Sequence, residues 1–240
     1  MTTFNYIIGI FQAVGSVAVA ASIFWLIKQT RTLSKTYRYN SEWKEKNKAA
    51  ELSKFYQYNI LDKISYIEFV MNRTGALKDV AKIREFNEFT ATELQRISGS
   101  QTIYDDIIKK ITLDKNNDVF ILANQLYKDK DISSLLDSLS PELLKNRFFS
   151  DLSSLLNSME YFSMCFTTGI ADETVVYQSL HQSFLKCVRM LYWAIAASNK
   201  NPKDKLYTHL SALYLKWSYR DAEKERQQNA VISVVETIKK

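Results

Sequence analysis

The sequence predicts an all-α protein in which a single N-terminal transmembrane helix is followed by a cytoplasmic helical bundle. Two observations carry this prediction. The chain of 240 residues contains only five glycines and two prolines, whereas the strands of a compact sheet need many turn residues between them. Residues 4–27 contain no charged side chain, and a helix of that length measures about 36 Å, enough to cross a hydrocarbon core of about 30 Å.

The uncharged segment is interpreted as an uncleaved anchor rather than as a signal peptide. Residues 1–3 lack Lys and Arg, and the apolar run is longer than that of a usual signal peptide. Residues 28–48 hold seven Lys and Arg against two Glu, and basic residues stay on the cytoplasmic side of a membrane. We therefore expect an inner-membrane protein with its N-terminus outside and its C-terminal domain in the cytoplasm.

The basic segment also indicates which kind of partner its positive charge binds. Residues 28–48 carry +5 of the overall +6, which leaves +1 for the rest of the chain. A nucleic-acid partner is disfavoured, because such a partner needs basic residues clustered within the fold. The expected partner is anionic lipid, contacted by Lys28, Arg31, Lys35 and Arg38.

A stripe of small and polar residues lies within the predicted span. Its members recur at helical spacings of three and four, and small residues with an occasional amide allow close packing between membrane helices. The stripe predicts a homo-oligomer, although small residues are also common in membrane helices that do not associate. It consists of Gly9, Gln12, Ala13, Ser16 and Ala20.

The predicted organisation is an anchor at residues 1–27, a basic juxtamembrane stalk at 28–50 and a helical cytoplasmic domain at 51–240. Within the domain, one helix is expected from Asp79 to Ile97. Three further helices are expected to form the core: they begin at the Ser140–Pro141 start signal, at Asp172 and at Pro202. Residues 221–240 either pack on the domain as a last helix or bind a partner or the membrane.

No motif predicts a cofactor, a metal or a catalytic site. The chain has no phosphate-binding glycine pattern and no paired metal-ligating histidines. Cys165 and Cys187 are expected to be reduced core thiols. If the chain were an enzyme with an unfamiliar site, Glu160, His181 and Arg189 would be the first candidates, because they lie on adjacent predicted core helices.

Residues 155–173 read LLNSMEYFSMCFTTGIADE, and this stretch resembles the bacterial domain-of-unknown-function family 4760. The resemblance spans residues 147–217 and the N-terminal membrane helix. It implies a small membrane-anchored helical protein without an assigned activity, with a role in defence against phage or in another stress response. The matching polar pair is Asn157 and Glu160, for which a hydrogen-bonded clamp between helices is the favoured interpretation.

These observations favour a membrane-tethered interaction or sensor module that binds a protein partner and has no enzymatic activity. The alternative is an oligomeric membrane effector, assembled through the stripe in the span, that perturbs the bilayer on a cytoplasmic signal.

Overall fold

The fold is described from a computed structural model. It covers the backbone of residues 2–81, 88–99, 101–112, 118–119, 122, 141–201, 203 and 205–238. Side chains are described for residues 25–80, 88–98, 106–112, 118–119, 122, 143, 145–201, 203 and 205–230.

Every element in the described part of the chain is helical, which confirms the predicted all-α class. A π-helical turn, Tyr56–Leu61, follows the first helix directly and leads into the second. The α-helices are α1 (Thr2–Phe55), α2 (Asp62–Arg73), α3 (Ala76–Ala81), α4 (Ala91–Gly99), α5 (Gln101–Thr112), α6 (Pro141–Thr167), α7 (Glu173–Ser198) and α8 (Thr208–Ile238).

The chain divides into two compact units, residues 1–47 and residues 48–240. The first unit belongs to α1, which continues through Asn40 and Ser41 without the break that those residues could have caused. Within the residues whose side chains are described, no helix combines the length and the apolar character needed to cross a membrane. The predicted span lies outside those residues except for Trp25, Leu26 and Ile27.

The core of the second unit is a helical bundle in which α6, α7 and α8 hold the largest buried side chains, as the sequence predicts. Trp217 of α8 is fully buried and its ring packs on Phe184 of α7 and Phe162 of α6, with centroids 5.0 and 6.5 Å away. The bundle also buries Leu52 and Tyr56, at the end of α1 and in the π-helical turn. Cys165 and Cys187 are free and buried, in agreement with the prediction of core thiols.

Local signals explain several helix ends. Gly75 and Gly169 have φ of +78° and +75°, a conformation that glycine adopts without the steric cost of a Cβ, and they follow the ends of α2 and α6. Helix α6 begins at Pro141 as predicted. Asp172 caps α7, because its Oδ1 accepts a hydrogen bond from the Thr174 amide at 2.9 Å.

The helix predicted from Asp79 to Ile97 is wrong as a single element. Helix α3 is described as Ala76–Ala81, and α4 begins at Ala91, directly after the non-helical residues 88–90, of which Phe89 has φ of +53°. Residues 82–87 of the predicted helix lie outside the described residues. The new start is a capping arrangement: the Thr90 hydroxyl accepts from the Glu93 amide at 3.2 Å, and the Glu93 carboxylate accepts from the Glu88 amide at 2.9 Å.

The helix predicted to open at Pro202 begins instead at Thr208. The Asn199 side chain holds the preceding loop, since it donates to the Leu206 carbonyl at 3.1 Å and accepts from the Leu206 amide at 2.9 Å. Tyr207 then has φ of +60°, which is incompatible with a right-handed helix. Helix α8 continues to Ile238, so residues 221–238 extend it instead of forming a separate element.

Candidate functional site

The first unit carries an exposed basic band. Lys28, Arg31, Lys35 and Arg38 follow one another at spacings of three, four and three, which places them on one face of α1. Every side chain from residue 25 to residue 40 is exposed. Residues 1–41 contain no Asp or Glu, and Glu42, the first acid, lies 3.4 Å from the Arg38 guanidinium. The band is therefore a concentrated positive surface with little internal neutralisation.

Trp25 precedes this basic band and is 63 % exposed. An exposed indole combines an apolar ring with an N–H donor, a combination that suits the boundary between apolar and aqueous phases. The five residues predicted to mediate helix contact in the span lie outside the residues whose side chains the structure describes. They are Gly9, Gln12, Ala13, Ser16 and Ala20.

Glu160 connects two helices of the bundle. Its carboxylate, on α6, accepts hydrogen bonds from the backbone amides of His209 and Leu210 at 3.1 and 2.7 Å. These amides belong to the first turn of α8, where helix N–H groups lack intrahelical partners. Tyr207 precedes that turn and has no short side-chain acceptor, so Glu160 supplies the cap from a neighbouring helix. Asn157, its predicted polar companion, is exposed and takes no part in this described cap.

A second charged group surrounds the ring of Tyr177 on α7. The Arg220 guanidinium lies 3.9 Å from the ring centroid and the Lys224 ammonium 4.6 Å from it, distances typical of cation–π contacts. The His181 ring stacks on the Tyr177 ring, with centroids 4.5 Å apart. Burial, followed by the nearby charge of Asp221, raises the pKa of Tyr177.

His181 lies between two oxygen atoms. Its Nδ1 is 2.6 Å from the Tyr177 carbonyl oxygen, which can only accept, so Nδ1 carries the proton. Its Nε2 lies 3.5 Å from Asp221 Oδ1. Sequence analysis missed this group, although the sequence contains one signal for it. Two sets of residues recur at steps of four, which places each set on one helix face. The sets are Glu173, Tyr177 and His181 on α7 and Lys216, Arg220 and Lys224 on α8.

The three residues considered for an unfamiliar active site have separate partners. Glu160 caps α8 and His181 lies beside Asp221. The Arg189 guanidinium donates to the Tyr214 hydroxyl at 3.1 Å. Among the described residues, no group of three or more His, Cys, Asp and Glu side chains is arranged to hold a metal ion.

An open groove of about 700 Å³ lies along α6. Neutral polar side chains line its floor, and the rings of Phe55 and Tyr161 form one wall, with centroids 5.5 Å apart in an edge-to-face arrangement. Lys63 of α2 donates to the Ser154 hydroxyl at 2.7 Å. The polar residues recur every three or four positions, on one face of the helix: Ser150, Ser153, Ser154, Asn157 and Ser158.

Neither the curated proteins nor the solved structures contain a match to this chain. A family model does match: residues 106–217 match the one described as "Domain of unknown function (DUF4760)". The matched region contains α6, α7 and the first part of α8, and thus Glu160, Tyr177, His181 and most of the bundle core, but it ends before Arg220, Asp221 and Lys224. Over residues 106–217, a little under half of its length, the chain is thus similar to the DUF4760 family.

Proposed function

We propose that the chain is a membrane-tethered interaction module in which α1 anchors the helical bundle at the inner membrane and the bundle binds a protein partner. The observation that carries the proposal is the basic band of Lys28, Arg31, Lys35 and Arg38, exposed on one face of a helix directly after an uncharged segment of 24 residues.

The charges of the basic band support an anionic lipid surface as its partner. A Lys or Arg near such a surface contributes about 1 kcal/mol, so the four together contribute about 4 kcal/mol at low salt. Because residues 1–41 contain no acid, intramolecular pairs compete little for this charge. Basic residues on one flank also determine the orientation of a membrane helix, which supports a cytoplasmic bundle.

The groove along α6 is the surface that we propose for the protein partner. Its lining hydroxyl and amide side chains are uncharged and offer both donors and acceptors, and the ring of Tyr161, 42 % exposed, offers apolar contact. A concave, neutral surface with an aromatic wall suits a polar peptide or helix better than it suits a nucleic acid, which requires positive charge.

Membrane fractionation of the full-length chain tests the anchor. We expect the chain to remain in the membrane pellet after alkaline extraction, and external protease on spheroplasts to leave the bundle intact. The variant Lys28→Gln/Arg31→Gln/Lys35→Gln/Arg38→Gln should expose a fraction of the bundle to protease, because it removes the orienting charge. The control removes four exposed charges of the second unit, at Lys54, Lys78, Lys200 and Lys205. Recovery of the wild-type chain in the soluble fraction would refute the proposal.

Crosslinking and mass spectrometry on native membranes test the partner surface. Two variants are compared: Asn157→Trp fills the groove, and Tyr219→Trp changes an exposed position of α8. Loss of the crosslinks to a partner in the first variant, but not in the second, would support the groove as the binding surface. A partner retained equally by both variants would place the interaction elsewhere.

The alternative, an oligomeric effector that perturbs the bilayer, predicts a different phenotype. Growth arrest on expression, abolished by Gly9→Leu/Ser16→Leu, would favour the effector, whereas unchanged toxicity in that variant would reject assembly through the stripe.

A further inference from the structure

The face of α1 opposite the basic band is apolar and has no partner among the described residues of the first unit. Leu26, Leu33 and Tyr37 are 60 %, 69 % and 80 % exposed. They follow one another at spacings of seven and four, so they lie along one narrow line of the helix. Gln29, Ser34 and Thr36 flank this line with polar, uncharged side chains.

The line follows the seven-residue repeat of a coiled coil, whose seven positions are labelled a to g. If Leu26 and Leu33 are placed at d, Thr30 and Tyr37 fall at a and Asn40 at the next d. The same register places Lys28 and Lys35 at f and Arg31 and Arg38 at b. The b and f positions point away from a partner helix, so pairing of two copies would leave all four charges on the outside.

The repeat continues toward the N-terminus in the sequence. Steps of three and four back from Leu26 reach Ile23, Val19, Ser16, Gln12 and Gly9. Three of these residues, Gly9, Gln12 and Ser16, also belong to the small-residue stripe that predicts self-association. The continuity matters because two heptads alone are short for a stable coiled coil, whereas a seam from Gly9 to Asn40 spans more than four.

We propose that α1 pairs with α1 of a second copy of this chain as a parallel two-stranded coil whose seam includes Leu26, Thr30, Leu33, Tyr37 and Asn40. A second copy fits better than a lipid surface, because a helix lying on lipid buries a broad apolar face and this line is only one side chain wide. The positions flanking the seam from Ile27 to Trp43 are uncharged, so the two chains do not repel each other. Asn40 at d pairs with its own copy only in the parallel register.

The inference stands on the exposure and register of α1 and goes beyond the proposed membrane tether. Cysteine crosslinking of the full-length chain tests it. In a parallel coil, identical seam residues of the two copies face each other, so Leu33→Cys and Tyr37→Cys should form disulfide dimers on mild oxidation. Lys35→Cys, at an outward position, is the matched control and should crosslink on the order of tenfold less. The native Cys165 and Cys187 are buried and stay in place.

A mass measurement supplies the second readout. The full-length chain should have the mass of two copies of 27.9 kDa, and Leu33→Asp/Tyr37→Asp should halve it, whereas Lys35→Asp should not. A monomeric wild-type chain, or crosslinking at Lys35→Cys equal to that at Leu33→Cys, overturns the inference. The two proposals fail separately: a monomer that stays in the membrane rejects only the coil, and a dimer in the soluble fraction rejects only the tether.

Discussion

Helix α7 and residues 25–40 of α1 are both regular helices with apolar side chains, yet their surroundings are opposite. On α7, every side chain from Met190 to Ala196 is buried. In α1, every side chain from residue 25 to residue 40 is exposed. Packing therefore supplies most of the stability of α7, whereas this part of α1, whose side chains are exposed, relies within its own unit on local hydrogen bonds and helix propensity. Apolar side chains thus indicate that a helix face packs against another surface, but they do not identify that surface.

The largest effect is expected where the bundle is most densely packed. Trp217→Ala should lower the free energy of unfolding by about 3–5 kcal/mol, the usual cost of deleting a buried Trp, because its ring contacts those of Phe184, Phe162 and Tyr177. Tyr219→Ala, two residues along the same helix but 69 % exposed, should change it by less than about 0.5 kcal/mol. Chemical denaturation measures both variants, and equal losses would contradict the described packing.

Alkaline pH should destabilise the bundle through its buried phenols. Burial is the main cause that raises the pKa of Tyr56 and of Tyr66 above the ordinary value. Their stabilising contribution is complete below pH about 10 and declines as the pH rises from there toward the folded-state pKa, because the unfolded chain releases these protons first. Each of the two phenols should add up to about 1.4 kcal/mol per pH unit to the decline in the free energy of unfolding.

The measurement is the free energy of unfolding between pH 9 and 11. Tyr56→Phe and Tyr66→Phe should each flatten the alkaline decline, and Tyr58→Phe, at an exposed position, controls for loss of a hydroxyl group. An alkaline slope that neither core variant changes would show that these hydroxyls ionise freely in the folded protein.

The fold could be predicted from the sequence where local chemistry decides it. Pro141, Gly169 and Asp172 mark helix ends through backbone geometry and capping, and the structure places helix ends beside each of them. Prediction failed at two helix starts, for different reasons. The start of α8 depends on the Asn199 side chain, whose two hydrogen bonds to Leu206 have no sequence signature. The start of α4 has a local signature, the capping residues Thr90 and Glu93, but the apolar periodicity of residues 79–97 indicated one continuous helix.

The candidate sites divide in the same way. The basic band was predictable because charge and spacing along one helix are visible in the sequence. The Tyr177 group was not, since its residues come from α7 and α8 and meet only after packing. The Glu160 cap lies between these cases: the residue was singled out with Asn157, but its acceptor role depends on where α8 begins.

Glu160 should contribute a moderate part of the stability. Glu160→Ala leaves two first-turn amides of α8 without their acceptor, and loss of a helix cap costs about 1–2 kcal/mol. Asn157→Ala, one turn earlier and exposed, should cost less than about 0.5 kcal/mol. Denaturation measures the difference, and hydrogen exchange at Leu210 locates it. Faster exchange throughout the bundle without a local change at α8 would contradict the capping role.

The smallest effect on the free energy of unfolding is expected for a substitution in α1, and it tests the comparison between α1 and α7 directly. Leu33→Ala and Leu191→Ala remove the same atoms from two helices, but Leu33 is 69 % exposed and Leu191 is fully buried. Leu191→Ala should cost the bundle about 2–5 kcal/mol, whereas Leu33→Ala should change its free energy of unfolding by less than about 0.5 kcal/mol. Both are measured by denaturation of the bundle at a protein concentration low enough to keep the chains apart. A cost above about 1 kcal/mol at Leu33 would mean that residues 25–40 pack within the same chain, and the face opposite the basic band would then have no room for a second copy.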